Sequence, residues 1–341
     1  MNLELALRAS VGLLPVLLFL AAMRFFDSYK LVHLRATLAV IAAGAAAAAV
    51  SYFVSAAALS HLAIEFKTYS RYAAPLVEEL LKGVIVVWLI SRHRVAFLVD
   101  AAICGFAVGA GFAMVENVFY LSVLSDAALG VWIVRGFGTA IMHGGATAIF
   151  GILGLILSER AGHPGARTLL PGLLLAALLH SVYNHFFFSP ILATLGILLV
   201  LPPLVLLVFE RSESSLERWL ETGFDADTEL LELINSGKFS GSKVGHYLES
   251  LKARFHGPVV ADLLCYLRIR TELALRAKGI LMMRESGFDA APDAAPDDTT
   301  RASFAELEYL ERSIGPTGLL AIKPFLRMSR KDLWQLYQIG R

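Results

Sequence analysis

The sequence predicts an all-α protein, a polytopic transmembrane bundle of about seven spans followed by a soluble helical domain. Of its 341 residues, 57% are hydrophobic and only 17% are charged, whereas about a quarter of the residues in soluble domains are charged. The charges are also unevenly distributed: 22 of the 59 Asp, Glu, Lys and Arg residues lie in residues 1–210 and 37 in residues 211–341. Residues 1–210 therefore belong in a lipid bilayer, and residues 211–341 belong in water.

Each predicted span is a mostly apolar run close to the roughly 20 residues that cross a bilayer. The seven spans are 9–23, 36–59, 73–90, 96–121, 137–158, 169–188 and 190–209. The first is short and contains Pro15, which leaves a cleaved signal peptide as an alternative. However, Arg24 follows it directly, and no small-x-small cleavage site is present.

Basic residues concentrate in alternate loops. Loops 24–35, 91–94 and 159–168 are rich in Lys and Arg, whereas loop 122–134 contains only Asp126 as a charged residue. Because positively charged loops remain in the cytoplasm, the pattern predicts an extracytoplasmic N-terminus and a cytoplasmic C-terminal region.

The cytoplasmic region 211–341 is predicted to be helical. Apolar residues recur at helical spacing before Asn235-Ser236-Gly237, again through 258–284, and again through 302–312. Residues 289–298 form an acidic Ala/Pro segment that we expect to be a flexible loop. The region shows no catalytic pattern, so its expected role is stabilisation or docking of a cytoplasmic partner. A net charge of +1 without a basic stripe excludes nucleic acid as a partner.

Ionisable residues inside membrane spans are costly and usually serve a function. The third span contains Glu78, Glu79 and Lys82. Glu78 and Lys82 are four residues apart and are expected to pair on one helix face, which would leave Glu79 free. The fourth span contains Asp100, which is either a helix cap or a functional group, and Glu116 near its other end.

The fifth and sixth spans each contain a histidine followed by a polar residue four positions later, and therefore on the same helix face. These pairs are His143 with Thr147 and His180 with Asn184. At 1.5 Å per residue, the two histidines and Glu79 and Glu116 all lie roughly 5–15 Å from the extracytoplasmic ends of their spans. The sequence thus predicts one buried polar layer near that side.

Carboxylates, histidines and an amide in a dry pocket suit hydrolysis. A glutamate can accept a proton from water, and His or Asn can stabilise the oxyanion that forms. Two histidines and a glutamate are also a zinc-binding set. The residues alone leave metal-activated and metal-free water as open alternatives. They also leave open a proton- or ion-coupled transporter, whose relay would use similar groups, and a non-catalytic membrane scaffold.

Four motifs at compatible spacing between about residues 70 and 190 resemble those of the PrsW family of bacterial intramembrane proteases, relatives of the CAAX-processing endopeptidases. The motifs are Glu78-Glu79-x-x-Lys82, Gly109-x-Gly111-Phe112-x-x-x-Glu116-Asn117, His143 with Thr147, and Leu179-His180-x-x-Tyr183-Asn184. The resemblance implies an enzyme of the bacterial cytoplasmic membrane that cuts a membrane-anchored protein, such as an anti-sigma factor, near the extracytoplasmic side.

The resemblance also implies roles for individual residues. Glu78 and Glu79, joined by Glu116, would activate water, and His143, His180 and Asn184 would bind a metal or the oxyanion. If zinc is bound, its candidate ligands are Glu79, Glu116, His143 and His180. The second motif ends in Glu116 where the CAAX-processing enzymes have histidine. Supporting roles would fall to Lys82, Asp100, Phe112, Asn117, Arg135 and Thr147.

Overall fold

The computed structural model describes residues 3–62, 64–124, 126–288, 297–326 and 330–339. These residues contain helices and no β-strand. The helices are α1 (Leu3–Phe26), α2 (Leu34–His61), α3 (Phe66–Thr68), α4 (Ala74–Ser91), α5 (Leu98–Val123), α6 (Leu129–Ile133), α7 (Ala140–Ala161), α8 (Ala166–His185), α9 (Pro190–Asn235), α10 (Lys243–Leu251), α11 (Gly257–Glu285), α12 (Asp298–Ile322) and α13 (Arg330–Ile339). Two π-helical segments, π1 (Tyr69–Ala73) and π2 (Val134–Thr139), directly precede α4 and α7.

Helix occupies each of the seven predicted spans. Among the described residues, six helical stretches are long and apolar enough to cross a membrane: α1, α2, α5, α6 continuing through π2 into α7, α8, and α9. The remaining predicted span is α4, which is 18 residues long and carries three ionisable side chains. The chain divides into two compact units, Met1–Glu213 and Ser214–Arg341.

Helix α5 is the centre of the first unit, where it packs against α1, α2 and α7. Small residues make this packing close. A Cβ on Gly105 would lie 2.7 Å from the carbonyl oxygen of Thr147 in α7, and a Cβ on Gly109 would overlap the carbonyl of His143. The two helices therefore meet at backbone distance, as expected for small residues four positions apart.

The second unit has its own apolar core, built around α11. Leu263 and Leu267 of α11 pack with Leu310 and Ile314 of α12 in this core. One charged group is also enclosed: Lys278 is fully buried, and its Nζ lies 2.5 Å from an Asp227 carboxylate oxygen.

Several helix limits differ from the sequence predictions. The last predicted span, 190–209, is part of α9, which continues to Asn235 because a helix tolerates the charges that begin at Glu210. The stretch 302–312 is part of the longer α12, which is kinked at Gly315. The predicted acidic loop 289–298 lies mostly outside the described residues. Its end is described, and there the Asp297 carboxylate caps α12 by accepting a 2.9 Å hydrogen bond from the Thr300 amide.

Candidate active site

Four helices bring polar side chains together at the end of the bundle that the loop charges assign to the extracytoplasmic side. Helices α4 and α7 contribute residues from their N-terminal halves, and α5 and α8 contribute residues from their C-terminal halves. The cluster contains Glu78, Glu79, Lys82, Glu116, His143 and His180. The sequence predicted this convergence from depth alone.

Glu79 is the most enclosed carboxylate of the cluster. Lys82 Nζ donates to its Oε1 at 2.5 Å, and His180 Nδ1 donates to the same oxygen at 2.9 Å. The prediction that Lys82 pairs with Glu78 and leaves Glu79 free is therefore wrong. Positions three and four residues apart are both neighbours on a helix, and here Glu79 is buried with Lys82 while Glu78 is partly exposed.

His143 connects this pair to Glu116. Its Nδ1 lies 3.0 Å from Lys82 Nζ, and its Nε2 lies 3.0 Å from Glu116 Oε2. An ammonium group can only donate, so Nδ1 accepts from Lys82 and the ring proton is on Nε2, where it is donated to Glu116. Each histidine is thus held by one carboxylate, His180 by Glu79 and His143 by Glu116.

Arg135 in π2 supplies a second cation beside Glu116. Its Nη2 is 3.2 Å from Glu116 Oε1, and its Nε donates to Asn117 Oδ1 at 2.8 Å. The guanidinium lies over the Tyr120 ring, 3.7 Å from the ring centre. Tyr120 was not among the predicted site residues, although it follows Glu116 by one helical turn and so shares its face.

Glu78 is the carboxylate with a free oxygen. Its Oε2 is buried and has no hydrogen-bond partner among the described residues; it lies 3.8 Å from His180 Nε2. Unpaired buried oxygens of this kind are rare and call for a ligand, a water molecule or an ion.

The other predicted supporting residues divide into two groups. Phe112 and Thr147 line the cluster: the Phe112 ring centre is 4.8 Å from Lys82 Nζ, and the Thr147 hydroxyl is 3.5 Å from Glu79 Oε2. Asn117 positions Arg135 and also donates to the Gly12 carbonyl at 2.7 Å. By contrast, Asp100 lies in the first turn of α5, at the far end of that helix, where it caps the Ala96 and Phe97 amides.

Asn184 makes a main-chain contact at the edge of the cluster. Its Nδ2 donates to the Ser70 carbonyl in π1 at 3.0 Å. One turn earlier, the Ser181 hydroxyl donates to the Arg71 carbonyl at 2.6 Å. Helix α8 thereby holds the segment that leads directly into α4 and its two glutamates. Ser181 was not predicted as a site residue, and an isolated serine next to a histidine gives little signal in a sequence.

The cluster has the composition of a divalent-cation site. Glu78, His143 and His180 each offer one ligand atom, and these atoms lie within 4.8 Å of one another. Three carboxylates face only two cationic side chains, so a divalent ion would meet an excess of negative charge. The grouping includes Glu78, whereas the resemblance placed Glu79 and Glu116 among the candidate zinc ligands.

Two buried histidines and three carboxylates, gathered by four helices of a polytopic bundle, have the composition of the active site of an intramembrane hydrolase. The model of a family described as "PrsW family intramembrane metalloprotease" matches residues 32–208, just over half of the chain. The chain belongs to this family, and it is therefore an integral membrane protease, as the motif resemblance predicted. A search of the curated proteins finds no match, and a search of the solved structures finds none either.

Proposed function

We propose that this protease uses Glu78, His143 and His180 to hold a zinc ion and Glu116 to move the proton of the attacking water. The observation that carries the proposal is the unpartnered Glu78 oxygen beside two histidines. Bound zinc would activate a water molecule as the nucleophile and polarise the peptide carbonyl.

The two histidines are oriented for such a role. Histidine ligands of metals almost always donate their other ring N–H to a carboxylate, a carbonyl or water, which fixes the ring and its tautomer. His180 donates Nδ1–H to Glu79, and His143 donates Nε2–H to Glu116. The other nitrogen of His180, Nε2, carries a lone pair available to a cation. The lone pair on Nδ1 of His143 accepts from the Lys82 ammonium, so Lys82 would have to move away for zinc to bind His143.

Glu116 is the carboxylate best placed to transfer protons. Its side chain is 25% exposed, whereas that of Glu79 is 1% exposed. Each of these two carboxylates is already paired with two side chains, so the difference in solvent access decides between them. We infer that Glu116 accepts a proton from the water molecule while the water oxygen attacks the peptide carbonyl carbon. Glu116 then returns the proton to the amide nitrogen as the C–N bond breaks.

Arg135 is a suitable donor to the developing oxyanion. Its guanidinium is held by Asn117, Tyr120 and Glu116, yet its buried Nη2 has no hydrogen bond of good geometry among the described residues. A preorganised donor of this kind contributes about 3–4 kcal/mol to transition-state stabilisation in other hydrolases. Asn184, which the resemblance offered for the oxyanion together with the two histidines, already donates to Ser70.

The substrate class follows from orientation. We propose a bacterial cytoplasmic-membrane protein with its N-terminus outside and residues 211–341 in the cytoplasm, as the loop charges favour. The site then opens near the extracytoplasmic surface, where it would cut a membrane-anchored protein such as a single-span anti-sigma factor. The cytoplasmic unit would provide the surface for a regulatory partner.

The test compares three full-length proteins in proteoliposomes with the host's single-span anti-sigma factors: wild type, Glu78→Gln and Glu116→Gln. We expect Glu78→Gln to lose both zinc and cleavage. We expect Glu116→Gln to keep zinc while cleavage falls about 10²–10⁴-fold, the usual contribution of a general base.

Other outcomes would contradict specific parts of the proposal. Full cleavage by a zinc-free wild type would favour a metal-free mechanism in which Glu78 is the base. Glu116→Gln that cleaves normally would remove Glu116 from proton transfer. Ion flux through the wild type without cleavage of any candidate would favour the transporter alternative.

A further inference from the structure

An apolar cleft of about 380 Å³ lies between α7, α8 and α9. Its lining is almost entirely hydrocarbon, and Tyr183 supplies the one side-chain hydroxyl among the lining residues. None of the lining residues is charged, so the cleft has nothing to hold a phosphate or a lipid headgroup. Its volume is sufficient for two or three large aliphatic side chains.

Small residues contribute to two sides of the cleft, among larger aliphatic and aromatic residues. Gly145 and Ala146 lie on the α7 side, and Ala193 and Gly196 lie on the α9 side. A Cβ on Gly196 would meet no atom within 4 Å, so the backbone of α9 is open to the cleft at this point. Surfaces of small residues allow a second transmembrane helix to approach closely, whereas flexible lipid chains have no need of them.

The cleft lies against the helices that carry both histidines. Met142 and Leu179 line it, and each directly precedes a histidine, His143 or His180. At this end the Tyr183 hydroxyl lies 3.5 Å from Thr139 Oγ1, one helical turn before His143. The cleft and the candidate zinc ligands therefore lie at the same level of α7 and α8, on neighbouring faces of these two helices.

We propose that this cleft binds the apolar transmembrane segment of the substrate, adjacent to the scissile bond. The inference rests on the proposed function and adds the place and chemistry of recognition. The segment enters sideways from the bilayer, packs its backbone near Gly196 and places Leu, Ile, Val or Phe side chains in the cleft. Ala193 and Gly196 then determine specificity by leaving room for those side chains.

Photo-crosslinking tests the location directly. p-Benzoylphenylalanine is placed at Ile197, which lines the cleft, or at Leu195, which is on the same helix, is 54% exposed and does not line the cleft. Both are made in the full-length Glu116→Gln protein with a cleavable single-span substrate. We expect the substrate crosslink at Ile197 to exceed that at Leu195 at least several-fold. Equal yields, or phospholipid adducts alone at Ile197, would overturn the proposal.

A cleft-filling variant tests the function of the cleft. Gly196→Leu fills open space and leaves the zinc-site residues unchanged, so zinc content serves as the check on folding. We expect KM for the single-span substrate to rise about tenfold or more with kcat little changed, while the control Leu195→Phe behaves as wild type. If wild type cleaves and Gly196→Leu cleaves equally well, only the cleft assignment fails. If wild type cleaves no membrane protein, the proposed function itself fails.

Discussion

The molecule contains two fully buried lysines in nearly identical pairs. Lys82 in the bundle and Lys278 in the second unit each lie 2.5 Å from a carboxylate oxygen. Each ammonium also lies near an aromatic ring, 4.8 Å from the centre of Phe112 and 5.1 Å from that of Trp219. Considered as isolated pairs, the two sites are closely similar.

Their surroundings differ. Lys278 is in an apolar core with one carboxylate partner, Asp227. Lys82 has a second polar contact, His143, and its partner Glu79 has another, His180. A buried ion pair is thus weak evidence for function by itself. The feature that indicates function is the presence of further ionisable groups around the pair, because a purely structural ion pair does not need them.

The largest expected contrast is in activity. Lys82→Met removes the charge that balances Glu79 and the donor to His143, so both histidines lose part of their orientation. We expect about a 10–100-fold loss of cleavage, the effect typical of partners that orient metal ligands. Lys278→Met is the matched control and should cleave normally per folded molecule. Equal losses of cleavage in the two variants would contradict the assignment of Lys82, but not Lys278, to the active site.

The next contrast is in stability. Lys278→Met leaves the Asp227 carboxylate buried without its partner, which should cost about 3–5 kcal/mol. The double variant Lys278→Met/Asp227→Leu should recover most of that loss, because an apolar pair can replace a buried ion pair. Hydrogen exchange of peptides from α11 in the full-length protein measures both effects. A double variant no more stable than Lys278→Met would show that the pair has a further partner.

Two helical glycines, one at a close helix contact and one with open space around it, should respond oppositely to substitution by alanine. Gly105→Ala would place a methyl group 2.7 Å from the Thr147 carbonyl oxygen, so we expect overpacking to cost about 1–3 kcal/mol. Gly279→Ala in α11 meets no atom within 4 Å and should stabilise the helix by about 0.5–1 kcal/mol. Thermal unfolding of the two variants gives the sign of each change. A stabilising Gly105→Ala would contradict the close α5–α7 contact.

The smallest contrast concerns two threonines. Thr147 and Thr271 each donate to the carbonyl four residues earlier, at 2.9 Å and 2.8 Å, but only Thr147 also lies near Glu79. We expect Thr147→Val to reduce cleavage about threefold to tenfold, equivalent to one hydrogen bond of about 1 kcal/mol. Thr271→Val should leave the rate unchanged. Steady-state rates in proteoliposomes provide the comparison, and an unaffected Thr147→Val would remove the threonine from the site.

Much of the architecture is readable in the sequence because bilayers impose simple rules. Apolar length identifies the spans, and counting residues from the span ends places Glu79, Glu116, His143 and His180 at one depth. Family motifs then identify the activity. None of these steps requires knowledge of how side chains are oriented.

Side-chain partners are less predictable. The sequence allows Lys82 to reach either Glu78 or Glu79, and the choice depends on which of them α7 and α8 enclose. Likewise, Asp100 is an ionisable residue in a predicted span, as a site residue would be, yet its carboxylate oxygens accept hydrogen bonds from the Ala96 and Phe97 amides. The π-helical segments were not among the sequence predictions, and they arise from a shift in main-chain hydrogen bonding.

The π-helical segments restrict which deletions this protein can tolerate in evolution. A π turn accommodates an additional residue, so the helix after it is rotated by about 100° relative to a regular continuation. Deleting one residue from Tyr69–Ala73 would restore regular hydrogen bonding but rotate either the glutamates of α4 or the carbonyls of Ser70 and Arg71 away from their partners on α8. A point substitution affects the contacts of one side chain, whereas deletion of one residue from Tyr69–Ala73 would disturb all of these contacts together. We therefore expect the chain length of this segment to be under stronger constraint than most of its individual side chains.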